Sequence, residues 1–233
     1  MDLFQAPLAI VDLETTGTRP GADRITEIGV VEVERFEVLS EWTTLVNPGR
    51  ALPSEIQALT GITPQMLAQA PKFADLAAGL HARLAGRVFI AHNVRFDYGF
   101  LRREFDRAGI KFHAPAVCGV KLARRLYPRE TGHDLDSLIE RHDIACEARH
   151  RALPDAQALW EFLRAAADEH GADVVSVAAR QVAKEPTLPP ELDRAQIDAL
   201  PEAPGVYLLF GDSGPPLYIG KSRSRRSRVL QHF

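Results

Sequence analysis

Two acids lie two residues apart, Asp12 and Glu14. They close the short apolar run Leu8-Ala9-Ile10-Val11 and precede the turn formers Thr15, Thr16 and Gly17. In a strand, side chains i and i+2 share a face, so the two carboxylates project together. Like charges at the end of a buried strand repel and lose hydration unless a proton or a cation neutralises them. A hard divalent ion with oxygen ligands does this well. Alone, such a pair reads as a solvated strand end. Three further groups change that: Asp97, at the start of a helix that follows another strand; Asp155, beside Pro154 at another helix start; and His150, just before it. Four carboxylates at strand ends and helix starts can converge on one cleft. There they could hold two divalent ions about 3.5–4 Å apart, the spacing used in phosphoryl transfer. A histidine nearby, with an ordinary pKa of about 6.5, can take a proton from the attacking water.

The elements that must position these groups are legible as patterns. After the first strand, residues 24–46 alternate as two antiparallel strands with a turn near Arg35-Phe36-Glu37. A short helix follows over 53–59, and Thr60-Gly61-Ile62-Thr63-Pro64 turns into a fresh helix start. Phe73, Leu76, Ala77, Leu80 and Leu84 recur at helical spacing, and Val88–Ala91 is a second buried strand. His92-Asn93-Val94-Arg95-Phe96-Asp97 opens a helix that ends at Gly109. Further helices are expected at about 119–127, 134–141 and 154–169, the last with Ala156, Leu159, Leu163 and Ala166 inward. This order predicts an α/β domain over residues 1–170, a mixed sheet covered by helices. Residues 171–200, with Pro186, Pro189 and Pro190, read as a linker with some helix. Residues 201–233 carry two strands around Gly211-Asp212-Ser213-Gly214, then a basic tail.

Composition narrows the function classes. The 233 residues are 45% hydrophobic and 25% charged, with a net charge of −3, so any nucleic-acid site must be local or must meet phosphate through metal ions. Two cysteines, Cys118 and Cys146, cannot build a disulfide framework and suit a reducing cytosol. The N-terminus lacks a basic leader, and no apolar run approaches the ~18 residues of a membrane span. The expectation is a cytoplasmic protein without a membrane partner.

The blocks Val11-Asp12-Leu13-Glu14-Thr15-Thr16-Gly17, His92-Asn93-Val94-Arg95-Phe96-Asp97 and His150-Arg151-Ala152-Leu153-Pro154-Asp155-Ala156 resemble the three motifs of the DEDDh 3′-5′ exonucleases, in their DNA polymerase III epsilon-like branch. The likeness covers about residues 6–168. It implies a ribonuclease-H-like fold and release of single nucleotides from a 3′ end with two divalent ions, Mg²⁺ or Mn²⁺. Asp12, Glu14 and Asp155 would bind the catalytic ion, Asp12 and Asp97 the second, and His150 would orient or deprotonate water. Thr15, Thr16 and Gly17 would hold the terminal nucleotide. Gly119 departs from the family's usual threonine and bears on packing. Phe96 reads as core or wedge, and His92 as a strand-end histidine or a substrate contact. His81, His113, His133, His142 and His170 show no ligand spacing.

A second resemblance lies in Gly205-Val206-Tyr207 and Tyr218-Ile219-Gly220-Lys221. With the tail through Arg228, they are similar to the start of a GIY-YIG nuclease domain of the excision-repair type. It implies an incomplete α+β GIY-YIG domain in which Tyr207, Tyr218, Gly220, Lys221 and Arg228 belong to a nuclease site. The metal-holding glutamate of that family lies on a helix beyond the tyrosine blocks, and 201–233 offer none there, so this segment is expected not to cut DNA. By residues alone it is a hairpin with a solvated basic tail, marginal as a fold.

Three functions follow. The first is a DNA exonuclease in proofreading or repair, acting on single-stranded 3′ ends beside a polymerase or repair complex. The second is the same chemistry on RNA, separable only by a 2′-hydroxyl contact. The third is an inactive tethering module, which the intact acids and His150 disfavour.

Overall fold

The computed structural model describes residues 2–183, 196, 197, 199–211 and 214–230. The chain divides into two compact units, Met1–Ala183 and Lys184–Phe233.

In the first unit, β1 (Leu8–Thr15), β2 (Ile25–Glu34), β3 (Glu37–Leu45), β4 (Val88–Ala91) and β5 (Ala116–Cys118) form one sheet in the order β3-β2-β1-β4-β5. β1, β2 and β3 pair antiparallel, while β1–β4 and β4–β5 are parallel. The sheet is therefore mixed, as expected. The hairpin between β2 and β3 turns on Arg35 and Phe36, both at positive φ (51° and 66°). A two-residue turn of this hand matches the twist of the flanking strands. Phe36 stacks on Phe4 with ring centroids 4.3 Å apart.

Parallel neighbours need crossovers, and helices supply them. α1 (Ser54–Thr60), α2 (Pro64–Ala68) and α3 (Phe73–Leu84) lead into β4. α4 (Val94–Arg107) leads to β5, and α5 (Gly119–Leu126) and α6 (Leu135–Arg141) follow. α7 (Ala152–His170) lies on β1 and β2 and buries the expected Ala156, Leu159, Leu163 and Ala166. A Cβ on Gly119 would come within 2.9 Å of Leu159 Cδ1 and 3.1 Å of His92 Cα, so glycine there permits close approach of α5 to α7.

The boundary expected after residue 170 falls elsewhere. Residues Ala172–Ala183 form α8, which buries Val175, Ala178, Ala179 and Val182 against α5, α7 and β5. Ser176 Oγ accepts from the Leu3 N–H at 2.9 Å, tying α8 to the N-terminal segment. The prolines that suggested a linker, Pro186, Pro189 and Pro190, lie outside the described residues.

The second unit pairs β6 (Gly205–Phe210) with β7 (Pro216–Ser222) antiparallel. The basic segment that follows forms a helix, α9 (Arg225–Leu230), and not the solvated tail that its residues alone allow. Its Val229 joins Tyr207 and Ile197 in a small apolar cluster edged by Leu200, Leu209 and Leu230. Among the described residues, no helix is long and apolar enough to cross a membrane.

Candidate active site

β1 is the central strand, and its C-terminal end carries Asp12 and Glu14 on one face, as period-2 alternation requires. Across the antiparallel ladder, Asp12 stands opposite Gly29 and Glu14 opposite Glu27. Parallel to β1, β4 delivers the chain at the same sheet end into α4, whose first turn holds Asp97. The first turn of α7 holds Asp155. Partial positive charge at a helix start favours both of these carboxylates. His150 precedes α7 in the left-handed region, with φ of 60°.

These five side chains line one cleft of about 270 Å³ with Leu13, His92, Asn93, Phe96, Asp134, Leu135, Asp136 and Arg149. Ligand atoms of Glu14, His150 and Asp155 lie within 4.8 Å of one another. Loss of hydration, then the charges of Asp97, Asp155 and Glu14, pushes the Asp12 carboxyl well above its ordinary range. Glu14 is pushed up to about 7, first by lost hydration and then by Asp155 and Glu27. Burial also raises Asp97 and Asp155. The carboxylates thus disfavour one another's charge, which is the condition a bound cation relieves.

Burial holds His92 neutral, its pKa lowered to about 4, in the cleft wall. Phe96 also lines the cleft and packs on Phe100 at 4.8 Å. Thr15 and Thr16 are buried and committed to the turn beyond β1. Thr15 Oγ1 donates to the Gly17 carbonyl at 2.5 Å, and Thr16 Oγ1 accepts from the Arg24 N–H at 3.1 Å. None of 15–17 lines the cleft itself.

Sequence patterns missed Arg149. Its guanidinium forms an ion pair with Asp155 and reaches Asp136 Oδ1 at 2.5 Å, setting a positive charge against the acid cluster. An arginine next to the His150 block was the available signal. Arg24 was missed too. It grips buried Glu104 through two bonds of 2.5 and 2.9 Å and so ties the turn after β1 to α4, the helix of Asp97.

The second unit gathers its own group. Tyr207 and Gly220 are register partners, and the Tyr207 and Tyr218 rings lie 6.0 Å apart. Arg228 of α9 hydrogen-bonds both tyrosines. A Cβ on Gly220 would sit 2.4 Å from Tyr207 Oη, so only glycine leaves room for that ring. Lys221 is exposed.

The family model for exonucleases (RNase T) matches residues 9–163. The chain belongs to the exonuclease family. A Mycobacterium tuberculosis protein whose name pairs an exonuclease with an endonuclease is 39% identical over all of this chain and 38% of its own length. A DNA polymerase III epsilon-like protein of Rhodobacter capsulatus is 42% identical over 70% of this chain and 24% of its own. The chain therefore spans well under half the length of these curated relatives. Exonuclease X, solved with 5′-overhanging duplex DNA, superposes with a TM-score of 0.58 at 25% identity over 74% of this chain and 99% of that one. The fold is the ribonuclease-H-like one of the family.

Proposed function

We propose that the first unit is a metal-dependent 3′-5′ exonuclease acting on DNA. The observation that carries this reading is the convergence of Asp12, Glu14, Asp97, Asp155 and His150 on one cleft. The residues suit divalent ions. The carboxylate donors are hard, their charges oppose one another, and the Glu14 and Asp155 oxygens, no more than 4.8 Å apart, are within the span of ligands about one hard cation, with bonds of ~2.0–2.6 Å. Asp12, Glu14 and Asp155 would hold the catalytic ion, and Asp12 with Asp97 a second, both Mg²⁺ or Mn²⁺. When bound, the ions lower the pKa of water and offset charge on the scissile phosphate. His150 takes the proton of the attacking water, or orients that water. Thr15, Thr16 and Gly17 are proposed to meet the terminal nucleotide; with both threonine hydroxyls and the Thr16 N–H engaged in the turn, that contact would need the turn to shift toward the cleft.

DNA is favoured over RNA as the substrate by the names of the relatives: a polymerase III epsilon-like protein and a nuclease solved on a DNA overhang. Work in the cytoplasm on single-stranded 3′ ends, in proofreading or repair beside a polymerase or repair complex, fits the same chemistry. The second unit is proposed to be the start of a GIY-YIG domain. Its clustering of Tyr207, Tyr218, Gly220 and Arg228 supports this, as does the match over all of this chain to part of a relative named for both an exonuclease and an endonuclease.

The test is purified protein with Mg²⁺ or Mn²⁺ and 3′-labelled DNA and RNA oligonucleotides assayed side by side. Metal-dependent release of labelled mononucleotides from DNA is expected. Release from RNA alone, or from neither, would overturn the reading.

A further inference from the structure

His150 stands in a backbone conformation that L-residues avoid, φ of 60°, yet its ring must meet Glu14 and Asp155 within a few ångströms. Something outside the cleft has to hold the loop there. Glu27, on β2 and 2% exposed, does so from behind. Its carboxylate accepts from Arg151 Nε at 3.1 and 3.0 Å and from Arg151 Nη2 at 2.5 Å. The same carboxylate accepts from the Ala152 N–H at 3.0 Å. One acid thus fixes both residues that follow His150, using a planar guanidinium and a backbone N–H that leave it little freedom to pivot. Two residues along the same face of β2, Gly29 completes the seat. A Cβ there would lie 2.3 Å from the Ala152 carbonyl carbon and 2.4 Å from Leu153 N, so the start of α7 rests directly on the strand backbone. Glu27 does not line the cleft. Its strand partner, Glu14, does.

We propose that Glu27 is a positioning residue for His150: it locks Arg151 and Ala152 so that the imidazole is held over the carboxylate cluster. This rests on the exonuclease reading for its kinetic consequence, but not for its structural one. Glu27 stands outside the cleft and outside the group of candidate ligands. Its loss should therefore fall on turnover and not on binding. A misplacement of about 1 Å in a reacting group costs on the order of 10²-fold in rate.

The experiment compares wild type, Glu27→Ala, Glu27→Gln and Arg151→Ala. For each it measures kcat and KM on a single-stranded DNA oligonucleotide with Mn²⁺, the Mn²⁺ affinity without DNA, and the imidazole NMR resonances, with His150 assigned by His150→Ala. Glu27→Ala is expected to lower kcat by roughly 10²-fold with KM changed by no more than about twofold. Mn²⁺ affinity should hold and the His150 resonances should move. Glu27→Gln, which keeps an acceptor for the Ala152 N–H, is expected to recover part of the turnover. It also serves as the test if Glu27→Ala fails to fold. Unmoved His150 resonances, wild-type turnover in a folded variant, or Mn²⁺ affinity falling in step with kcat would overturn the proposal. If wild type degrades no DNA while the resonances still move in Glu27→Ala, the exonuclease reading fails and the positioning role stands.

Discussion

The cleft of the first unit and the described basic segment of the second present opposite charge to what is proposed to be the same bond. The cleft of the first gathers Asp12, Glu14, Asp97 and Asp155, with Asp134 and Asp136 at its edge. Among the described residues of the second, Glu202 is the one carboxylate, against Lys221, Arg223, Arg225, Arg226 and Arg228. The acid cleft repels a phosphodiester and must recruit cations before it can meet its substrate, whereas the basic segment 221–228 of the second unit is proposed to bind a phosphate backbone directly. Among the described residues of the second unit, Arg228 and its two tyrosines are the groups set to act on a leaving oxygen. Attraction to DNA and capacity to cleave it are thus proposed to be separated along one chain.

The largest effect expected, and the sharpest break in the comparison, is Asp12→Ala. Metal-dependent hydrolysis should fall to background, because Asp12 would touch both ions. The metal-free protein should become slightly more stable, since a repelled and poorly hydrated charge is removed. Thermal melts with and without Mn²⁺, alongside the exonuclease assay, check both statements. Turnover near wild type would end the two-ion reading.

Next in size is His150→Ala, expected to slow hydrolysis by roughly 10²–10⁴-fold, the scale of a lost general base. Mn²⁺ affinity should be nearly retained. The structure gives this test an edge that sequence could not: His150 lies close enough to Glu14 and Asp155 to serve as a ligand. A parallel collapse of affinity and activity would make it one.

A smaller effect concerns pH. Glu14 rises from 4.5 to about 7 in the fold, so between those values the native state holds more protons than the unfolded one. Stability of the metal-free protein should therefore fall as pH rises from 4.5 to 7. Metal binding displaces these protons, so affinity should strengthen, by roughly tenfold per pH unit for each proton released. Chemical denaturation and Mn²⁺ titration across this range read the two opposite slopes. Metal-free stability that climbs through the range would contradict the burial of these acids.

Much of this was legible in advance, for identifiable reasons. Period-2 alternation put Asp12 and Glu14 on one face, and helix-start chemistry placed Asp97 and Asp155. The β2–β3 hairpin and α7 carry strong apolar patterns. Strand β5 is three residues long, too short for periodicity to register. Helix α8 falls in the stretch that reads as a linker with some helix, where the downstream Pro186, Pro189 and Pro190 mask how firmly its apolar face packs. Helix α9 was hidden by its arginines, since one buried valine makes no stripe. Glu27 had a signal that went unread: an acid inside the buried strand Ile25-Thr26-Glu27-Ile28-Gly29-Val30-Val31 must have a partner. What sequence could not supply was which cation answers it, because Arg151 is 124 residues away.

The smallest effect expected is none, and it bears on the second unit. In a variant with Asp12 and Asp155 both changed to alanine, supercoiled plasmid incubated with Mg²⁺ should remain unnicked. Tyr207 and Tyr218 lie together with Arg228, so a hydroxyl that could activate water and a cation that could grip phosphate are both present. A nuclease centre also needs something to offset the charge that builds on the phosphate and its leaving oxygen, and metal ions do this through acidic ligands. Glu202, the described carboxylate, precedes β6 and is exposed. The five basic side chains should still bind plasmid, and that binding should weaken steeply with added salt. Retention without cleavage is therefore expected: a salt-sensitive mobility shift with no nicked product. Changing Tyr218 to phenylalanine in the same background should alter neither readout. Nicking that appears in the double-alanine variant and disappears with Tyr218→Phe would show that the second unit cuts DNA by itself, and the contrast between an acid site that cleaves and a basic site that holds would be lost.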